Sequence, residues 1–255
     1  MVRRGTGLGR ADLHMHTCAS DGVPTVRELL DHVECHTNLD VIAITDHDRV
    51  DSALWAYDHQ DEYSFEIIPG VEITSRVGHV LGLWVWHNVP AGLSLTETVS
   101  AIHEQGGVAI LAHPYHFYID QVRLYVRRYT RQPELLVEAG LDGLEIHNAG
   151  IMLPGLNLLA RRLGQRVHLT ATGGSDAHTL NAIGSGLTRF AGHTANDLRR
   201  ALASKKTVVE GSAWPLTAYW NYLRLSTPNT SSEFLAERLP SDHQTYQSHS
   251  LQLKG

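Results

Sequence analysis

The fold is decided by residues 41–48, Val-Ile-Ala-Ile-Thr-Asp-His-Asp, where an apolar and β-branched run ends in acidic and imidazole side chains. Similar short apolar runs followed by His, Asp or Glu recur along the chain, and amphipathic stretches separate them. Strands that alternate with helices are typical of βα units and a mainly parallel sheet. The predicted strands are Ala11–His14, Val41–Thr45, Val71–Thr74, His79–Trp86, Val108–Ala112, Gly143–His147, Val167–Thr172 and Thr207–Val209.

Helices are predicted between these strands. Thr25 and Glu28 have the spacing of a capping box at the start of the first helix, and glycines follow several of the others. About seven βα units in one chain predict a closed or nearly closed barrel. From about Thr227 the sequence resembles a linker and a weakly ordered tail. The predicted helices are Thr25–Cys35, Leu93–Gln105, Pro133–Ala139, Pro154–Leu163 and Ala195–Ala203.

Composition excludes several classes of protein. A formal net charge of −6 argues against a basic protein that coats nucleic acid, and stable duplex binding is not expected. No run reaches the roughly 18 apolar residues of a membrane span, and no apolar signal-peptide core follows the basic start. Cys18 and Cys35 cannot form a disulfide framework, so we expect a cytoplasmic protein with reduced thiols and no membrane partner.

The 17 histidines matter because many of them follow predicted strands. His14 and His16 are two residues apart and face the same side of an extended chain. The carboxyl ends of parallel barrel strands converge on one face, so side chains far apart in sequence meet there. Imidazole and carboxylate ligands suit Mn, Fe and Zn, and this number of ligands indicates more than one ion. A carboxylate such as Glu72 can bridge two of them.

The motifs Asp-Leu-His-Met-His-Thr with Ser-Asp-Gly, Ile-Thr-Asp-His-Asp, Gly-Val-Glu-Ile, Ala-His-Pro and Gly-Ser-Asp-Ala-His occur in this order between residues 12 and 178. Together they resemble the PHP (polymerase and histidinol phosphatase) family. The resemblance implies a distorted (β/α)7 TIM-like barrel, an α/β domain of residues 9–215, followed by a C-terminal extension of residues 216–255. It also implies a trinuclear metal centre whose ligands are His14, His16, Asp21, His47, Glu72, His79, His113, Asp176 and His178.

By resemblance, His14 and His16 would hold the first ion with Glu72 and Asp176. Glu72 would bridge to a second ion held by His79 and His113. Asp21, His47 and His178 would hold the third. His87 competes with His79 because both lie in the same predicted strand.

The implied activity is that of a metal-dependent phosphoesterase with two to three divalent ions (Mn, Zn or Fe). A hydroxide bridging two ions would attack a small phosphomonoester or nucleotide. A metal-bound water or Asp46 is a candidate acid for the leaving alkoxide, and Asn148 is a candidate contact either of the substrate or of the metal ligands. The alternatives are an exonuclease on short oligonucleotides, a histidinol phosphate phosphatase, a metal-dependent amide or lactone hydrolase, and a non-catalytic metal-stabilised binding module.

Three further features remain open. An arginine is expected to bind the phosphate, and the sequence does not choose among five candidates. Trp55, Trp84 and Trp86 could stack on a nucleobase, although barrel packing is the more common use of such residues. Cys18, between two predicted ligands, is interpreted as a small filler of its loop. The arginine candidates are Arg76, Arg123, Arg127, Arg128 and Arg189.

Overall fold

The computed structural model describes residues 7–116 and 129–225. Strands and helices alternate through most of this part of the chain. The strands are β1 Gly9–Asp12, β2 Val41–Ile44, β3 Glu66–Ser75, β4 Gly78–Leu83, β5 Val108–Leu111, β6 Gly143–Asn148, β7 Thr170–Gly174, β8 Gly186–Phe190 and β9 Val208–Gly211. The α-helices are α1 Val26–His36, α2 Asp51–Asp58, α3 Leu95–His103, α4 Glu134–Glu138, α5 Pro154–Val167, α6 Ala195–Ala203 and α7 Leu216–Leu225.

The strands form one sheet in the order β7-β6-β5-β4-β3-β2-β1-β8-β9. β1, β2 and β3 are parallel to one another, as are β5, β6 and β7, and the antiparallel β4 between the two groups makes all six run in the same direction. β8 is antiparallel to β1, and β9 is antiparallel to β8. The predicted α/β fold with mainly parallel strands is confirmed.

The sheet curls until β7, its strand at one edge, approaches β8, which lies next to the other edge. The Thr188 hydroxyl donates to the Gly173 carbonyl at 2.9 Å and accepts from the Gly173 N–H at 3.0 Å. A Cβ at Gly186 would lie 2.0 Å from the Gly174 carbonyl oxygen, so this approach requires glycine. The result is the nearly closed barrel that the sequence predicts.

Three helices begin at capping boxes. Thr25 and Glu28 cap α1, as predicted. Ser94 with Glu97 and Thr194 with Asp197 cap α3 and α6 in the same way. In each box the N-cap hydroxyl accepts a hydrogen bond from a backbone N–H of the first turn, and the acidic side chain accepts one from the N-cap N–H.

Several predicted boundaries are wrong. Strand β3 begins at Glu66, five residues before the predicted start, and β4 ends at Leu83, three residues before the predicted end. Helix α5 does not end before Gly164 but continues to Val167, and His168 follows it with a φ of 53°. Gly164 lets the helix pack closely on β6, because a Cβ at this position would lie 2.9 Å from the Ile146 side chain. Since Val167 is helical, β7 begins at Thr170, three residues later than predicted. The sequence patterns also missed α2, β8 and α7.

The polar end of the barrel is set by strand direction. The carboxyl ends of the six parallel strands lie at one end, and the antiparallel β4 brings its amino end there, with His79 paired to Thr74. The strand interiors are apolar, and every residue of β2 is buried. Among residues 7–116 and 129–225, no helix combines the length and apolar character that crossing a bilayer requires. The predicted tail from Thr227 lies outside the described residues.

Candidate metal centre

The nine side chains predicted as metal ligands lie together at the polar end of the barrel, within hydrogen-bonding or ion-pair distance of one another. An isolated parallel bridge between Met15 and Ala177 keeps the segment after β1 extended. His14 and His16 therefore face the centre while Met15 packs in the core. The direction of β4 decides between the two competing histidines. His79 lies within ion-pair distance of Glu72, whereas His87 is exposed.

Glu72 is the central group, and its two oxygens face different histidines. Its Oε1 lies 2.8 Å from His79 Nδ1 and 2.9 Å from His113 Nε2. Its Oε2 lies 3.2 Å from Nε2 of both His14 and His16. The carboxylate is 1% exposed. A buried carboxylate with a separate set of imidazoles at each oxygen has the arrangement needed to bridge two cations.

Two other carboxylates extend the cluster. Asp176 Oδ1 lies 3.2 Å from His16 Nε2 and 3.4 Å from His14 Nε2. Asp21 Oδ2 lies 3.1 Å from His178 Nε2 and 3.6 Å from His47 Nε2, at the more exposed side of the cluster. In the part of the chain that the structure describes, four groups of side chains have donor atoms close enough to share an ion. They are His16–Asp21–His47–His178, His14–His113–Asp176, His14–His16–Glu72 and His47–Glu72–His79.

Hydrogen bonds from the outer nitrogens fix how two of the imidazoles face the cluster. His14 Nδ1 donates to Glu145 Oε1 at 3.0 Å, and His178 Nδ1 donates to the Asp176 carbonyl at 2.8 Å. In a neutral imidazole this leaves a lone pair on Nε2. Each Nε2 nevertheless faces carboxylate oxygens, Glu72 and Asp176 for His14 and Asp21 for His178. Lone pairs so placed repel unless a proton or a metal ion lies between them.

The donor set fits divalent ions. Ligands about 2.1 Å from an ion are separated by about 3.0–3.4 Å in octahedral or tetrahedral geometry, and the separations around Glu72 Oε2 and Asp176 are 3.2–3.4 Å. Within the described residues, five buried nitrogen and oxygen atoms of the cluster make no hydrogen bond. Burying such polar atoms costs free energy unless another partner, such as a metal ion, binds them. These atoms are His14 Nε2, His16 Nδ1, His16 Nε2, Glu72 Oε2 and His79 Nδ1.

The electrostatics also require positive charge at the centre. Burial lowers the pKa of His16, but Asp176 and Glu72 outweigh burial and raise it to about 10. Burial raises the pKa of Glu72, but His14, His79 and His113 reverse the shift and hold it well below its usual range. Protons on the imidazoles and divalent ions therefore compete to neutralise the same carboxylates, and ion binding is expected to release protons.

Two of the predicted ligands have unusual backbone conformations. Asp176 has a φ of 53° and His113 a φ of 22°, in the left-handed region that non-glycine residues seldom occupy. Such strain is retained where the surrounding structure holds the residue in place, and it is frequent at functional sites. The Asp176 N–H donates to the His14 carbonyl at 2.7 Å, which ties the two ligand-bearing segments together.

Glu145 is a buried member of the site for which no role was predicted from the sequence. Its Oε1 accepts from His14, and its Oε2 accepts from the His113 N–H at 2.9 Å and the Asn148 amide at 3.0 Å. Asn148, the predicted substrate contact, also donates to Asp176 Oδ2 at 3.0 Å and accepts from the Gly150 N–H. These contacts favour a role for Asn148 in orienting the carboxylates over direct contact with substrate.

Replacing Glu145 with glutamine is expected to weaken metal binding by about 10- to 100-fold, the usual effect of losing a group that orients a ligand. Both Glu145 oxygens accept hydrogen bonds, so the glutamine NH₂ group must face a donor. A metal titration of the purified variant measures the effect, and saturating metal should restore most of the activity. Glu138→Gln, an exposed change, is the matched control. Unchanged metal affinity in Glu145→Gln would contradict the positioning role.

Two further buried aspartates hold the loops that carry the ligands. Asp46, the predicted acid, accepts from the Thr17 N–H, the Thr17 hydroxyl and the Ser20 hydroxyl, all at 2.7 Å. Asp12 accepts from the Ser175 N–H at 3.0 Å, and burial raises its pKa to about 6 despite this bond. The contacts of Asp46 favour positioning of the loop that carries Asp21 over proton donation to a leaving group.

The arginine and tryptophan candidates that the structure describes make their contacts outside the cluster. Arg189 donates to the backbone of Leu8 and Gly9 near the start of β1, at the opposite end of the barrel from the cluster. Arg76 donates to the Gly92 carbonyl on the surface. Trp55 is buried in the core, Trp84 lies under the Arg199 guanidinium, and Trp86 contacts Tyr57 edge-on. Arg123, Arg127 and Arg128 lie outside the described residues.

Two aromatic residues beside the cluster were not singled out from the sequence. The Trp214 ring centroid lies 5.9 Å from that of His178, and the Tyr222 centroid lies 5.0 Å from it. Both belong to the segment around α7, at the boundary of the predicted extension. The pattern Trp-Pro followed by three further aromatic residues within eight positions, from 214 to 222, was the available signal.

The chain is similar to several known proteins. A family model described as PHP-associated matches residues 154–207. An uncharacterised protein of Methanocaldococcus jannaschii is 32% identical over 151 residues, which is 55% of this chain and 82% of the relative. A 5′-3′ exoribonuclease of Haemophilus influenzae is 34% identical over 103 residues, covering 39% of this chain and 37% of that protein.

The fold is also found among solved structures. A two-domain protein of Bacteroides vulgatus that contains a predicted PHP-like metal-dependent phosphoesterase superposes with a TM-score of 0.65 at 17% identity. The match covers 88% of this chain and 74% of that one. The barrel, the motifs at its polar end and these similarities lead to one conclusion: the chain belongs to the PHP family.

Proposed function

We propose that this protein is a metal-dependent phosphoesterase that hydrolyses a small phosphomonoester or a nucleotide. The observation that carries the proposal is the position of Glu72, whose two oxygens face two separate sets of histidines. The proposed centre holds two to three divalent ions (Mn, Zn or Fe) on the nine predicted ligands. Bound divalent ions would polarise the phosphate oxygens and lower the pKa of a water that attacks phosphorus.

The side chains of this chain have distinct roles in the proposal. Glu72, Asp176 and Asp21 supply the negative charge that retains the ions, and the histidines supply neutral nitrogen ligands. Glu145 holds His14 in the tautomer whose Nε2 faces the centre. Within the described residues, the ion pairs of Glu72, Asp21 and Asp176 all involve histidines, so no Lys or Arg there competes with the metal ions for these carboxylates.

Hydrolysis of short oligonucleotides is the second candidate function. The similarity to the Haemophilus influenzae 5′-3′ exoribonuclease favours it, because that match covers part of this chain at 34% identity. The same ions and ligands could serve a phosphodiester as well as a phosphomonoester, since both reactions place charge on the phosphate oxygens. Histidinol phosphate is a further phosphomonoester to be compared directly.

The proposal is tested on a panel of phosphate esters with protein of known metal content. The panel contains mononucleotides, nucleoside 3′,5′-bisphosphates, ribose 5-phosphate, histidinol phosphate and short oligonucleotides. We expect phosphate release that disappears on chelation and returns when Mn, Zn or Fe is added back. Protein that binds two to three ions and hydrolyses no phosphate ester would overturn the proposal. It would then favour an amide or lactone hydrolase, or a binding module.

A further inference from the structure

A cavity of about 440 Å³ opens directly beside the candidate metal centre. Two of the predicted ligands, Asp176 and His178, form part of its wall. A phosphate held by ions at these ligands would therefore have the rest of its ester, the leaving alcohol, in or near this cavity. The chemistry of the cavity wall thus bears on the identity of that alcohol.

One wall of the cavity is aromatic. Trp214, Tyr219 and Tyr222 line it together with the His178 ring. The ring centroids of Trp214 and Tyr219 are 5.1 Å apart, and those of Trp214 and Tyr222 are 6.1 Å apart. The rest of the lining includes the aliphatic Met152 and Leu153, which are 71% and 65% exposed.

The aromatic wall is fixed to the ligand-bearing loop. Trp214 Nε1 donates to the Ser175 carbonyl at 2.6 Å, and Ser175 immediately precedes Asp176. The Trp214 N–H donates to the Ala149 carbonyl at 3.0 Å, and the side chain is only 7% exposed. A rigid ring held in this way loses little conformational freedom when a flat group packs against it. The wall and the metal ligands therefore form one unit.

We infer that the substrate is a nucleoside phosphate whose base occupies the cavity lined by Trp214, Tyr219 and Tyr222. This inference rests on the proposed phosphoesterase function and adds the class of its leaving group. Ligand pockets of about 300–1,000 Å³ are typical for molecules of this size. Aromatic side chains stack on any base through its π-face. Ribose would span the distance between the base in the cavity and the phosphate at the ligands.

The test compares AMP with ribose 5-phosphate, which carries the same phosphate ester on the same sugar but lacks the base. We expect wild-type protein to show a higher kcat/KM for AMP. Tyr222→Ala and Trp214→Ala should each reduce the ratio of the two kcat/KM values by about 10- to 100-fold, as expected when one base-stacking ring is lost. Tyr222→Phe should retain the ratio, because the ring is kept.

Trp220→Ala is the matched control. Trp220 lies on the same helix, α7, is 68% exposed and does not line the cavity. It should leave the AMP to ribose 5-phosphate ratio unchanged. If Trp214→Ala fails to fold because Trp214 is buried, the AMP to ribose 5-phosphate ratio is still compared between wild type and the variants of the half-buried Tyr222. Calorimetric titration of metal-free protein with adenosine adds a measurement that does not depend on turnover, and binding should weaken in Tyr222→Ala.

The outcomes separate the two proposals. Metal-dependent hydrolysis of both esters with no preference for AMP would overturn the nucleobase assignment and leave the phosphoesterase intact. A higher kcat/KM for octyl phosphate than for AMP would assign the cavity to an aliphatic chain. Conversion of a dimer to a monomer by Tyr222→Ala would assign it to a second copy of the protein. Absence of hydrolysis of every ester in metal-loaded protein would instead overturn the phosphoesterase proposal itself.

Discussion

Replacing Glu72 with glutamine is expected to lower kcat by about a thousandfold or more while the protein remains folded. The substitution keeps the shape of the side chain but removes its negative charge and places an NH₂ group at one of two oxygen positions. Each of those oxygens faces at least two imidazoles, so either orientation of the amide leaves a donor opposite a metal site. Steady-state kinetics on the best substrate of the panel measures the loss.

Glu66→Gln is the control for this prediction, because Glu66 lies on the same strand at the opposite end of the barrel. Its Oε2 accepts from the Ala195 N–H at 2.7 Å, a bond that glutamine can also accept. This variant should retain activity and metal content. Elemental analysis of Glu72→Gln should show fewer bound ions, and circular dichroism should show a wild-type spectrum. Wild-type turnover in Glu72→Gln would remove Glu72 from the site.

Addition of a divalent ion to metal-free protein is expected to raise Tm by about 5–10 °C when the ion exceeds its Kd by 100-fold. Binding to the folded state alone at that ratio adds about 2.7 kcal/mol to the free energy of unfolding. For a chain of this size, each kcal/mol corresponds to about 2–4 °C. The physical cause is the cluster itself, in which buried carboxylates and imidazole lone pairs face one another.

Thermal unfolding with Mn, Zn or Mg at fixed pH measures this effect. Mg is expected to stabilise the protein least, because it prefers oxygen ligands and the cluster is rich in nitrogen. The same titration of Glu72→Gln should give a smaller increase in Tm. Equal stabilisation of wild type and Glu72→Gln would indicate that the ions bind elsewhere on the protein. An unchanged Tm with all three ions would contradict a buried metal centre.

The antiparallel strand β4 brings a predicted ligand, His79, to the polar end of the barrel, where strand-end reasoning alone would not place it. In an all-parallel barrel, the first residues of a strand lie at the end opposite the active face. Because β4 reverses direction, His79 near its start reaches Glu72, whereas His87 beyond its end does not. The choice between two histidines eight residues apart therefore depends on the direction of one strand.

Much of the fold was predictable because its signals are local. The apolar run before Asp46 and His47, the alternation of His14, Met15 and His16, and the capping box at Thr25 each depend on neighbouring residues. A residue two positions away on a strand faces the same side wherever the strand lies, so the sequence could pair His14 with His16. The alternation of strands and helices likewise predicted the barrel.

Other features depended on contacts between distant segments. The pairing of β6 with β7 shifts in register between Glu145 and His147. This irregularity places Glu145 and Asn148, three residues apart, on the same side, where strict alternation would pair Glu145 with His147. Strand β8, Gly186–Phe190, was also missed, and it is held in the sheet by its pairing with β1 and β9.

The sequence by itself determined which residue types follow the strands and therefore the chemistry available at the barrel end. Backbone geometry repeats every two residues in a strand, and strands of one direction end together, so these consequences need no knowledge of the folded chain. Tertiary structure alone decided that Glu145 orients His14 and that Trp214 lies beside His178. Those contacts join residues 131 and 36 positions apart, and such pairings arise only when the barrel closes.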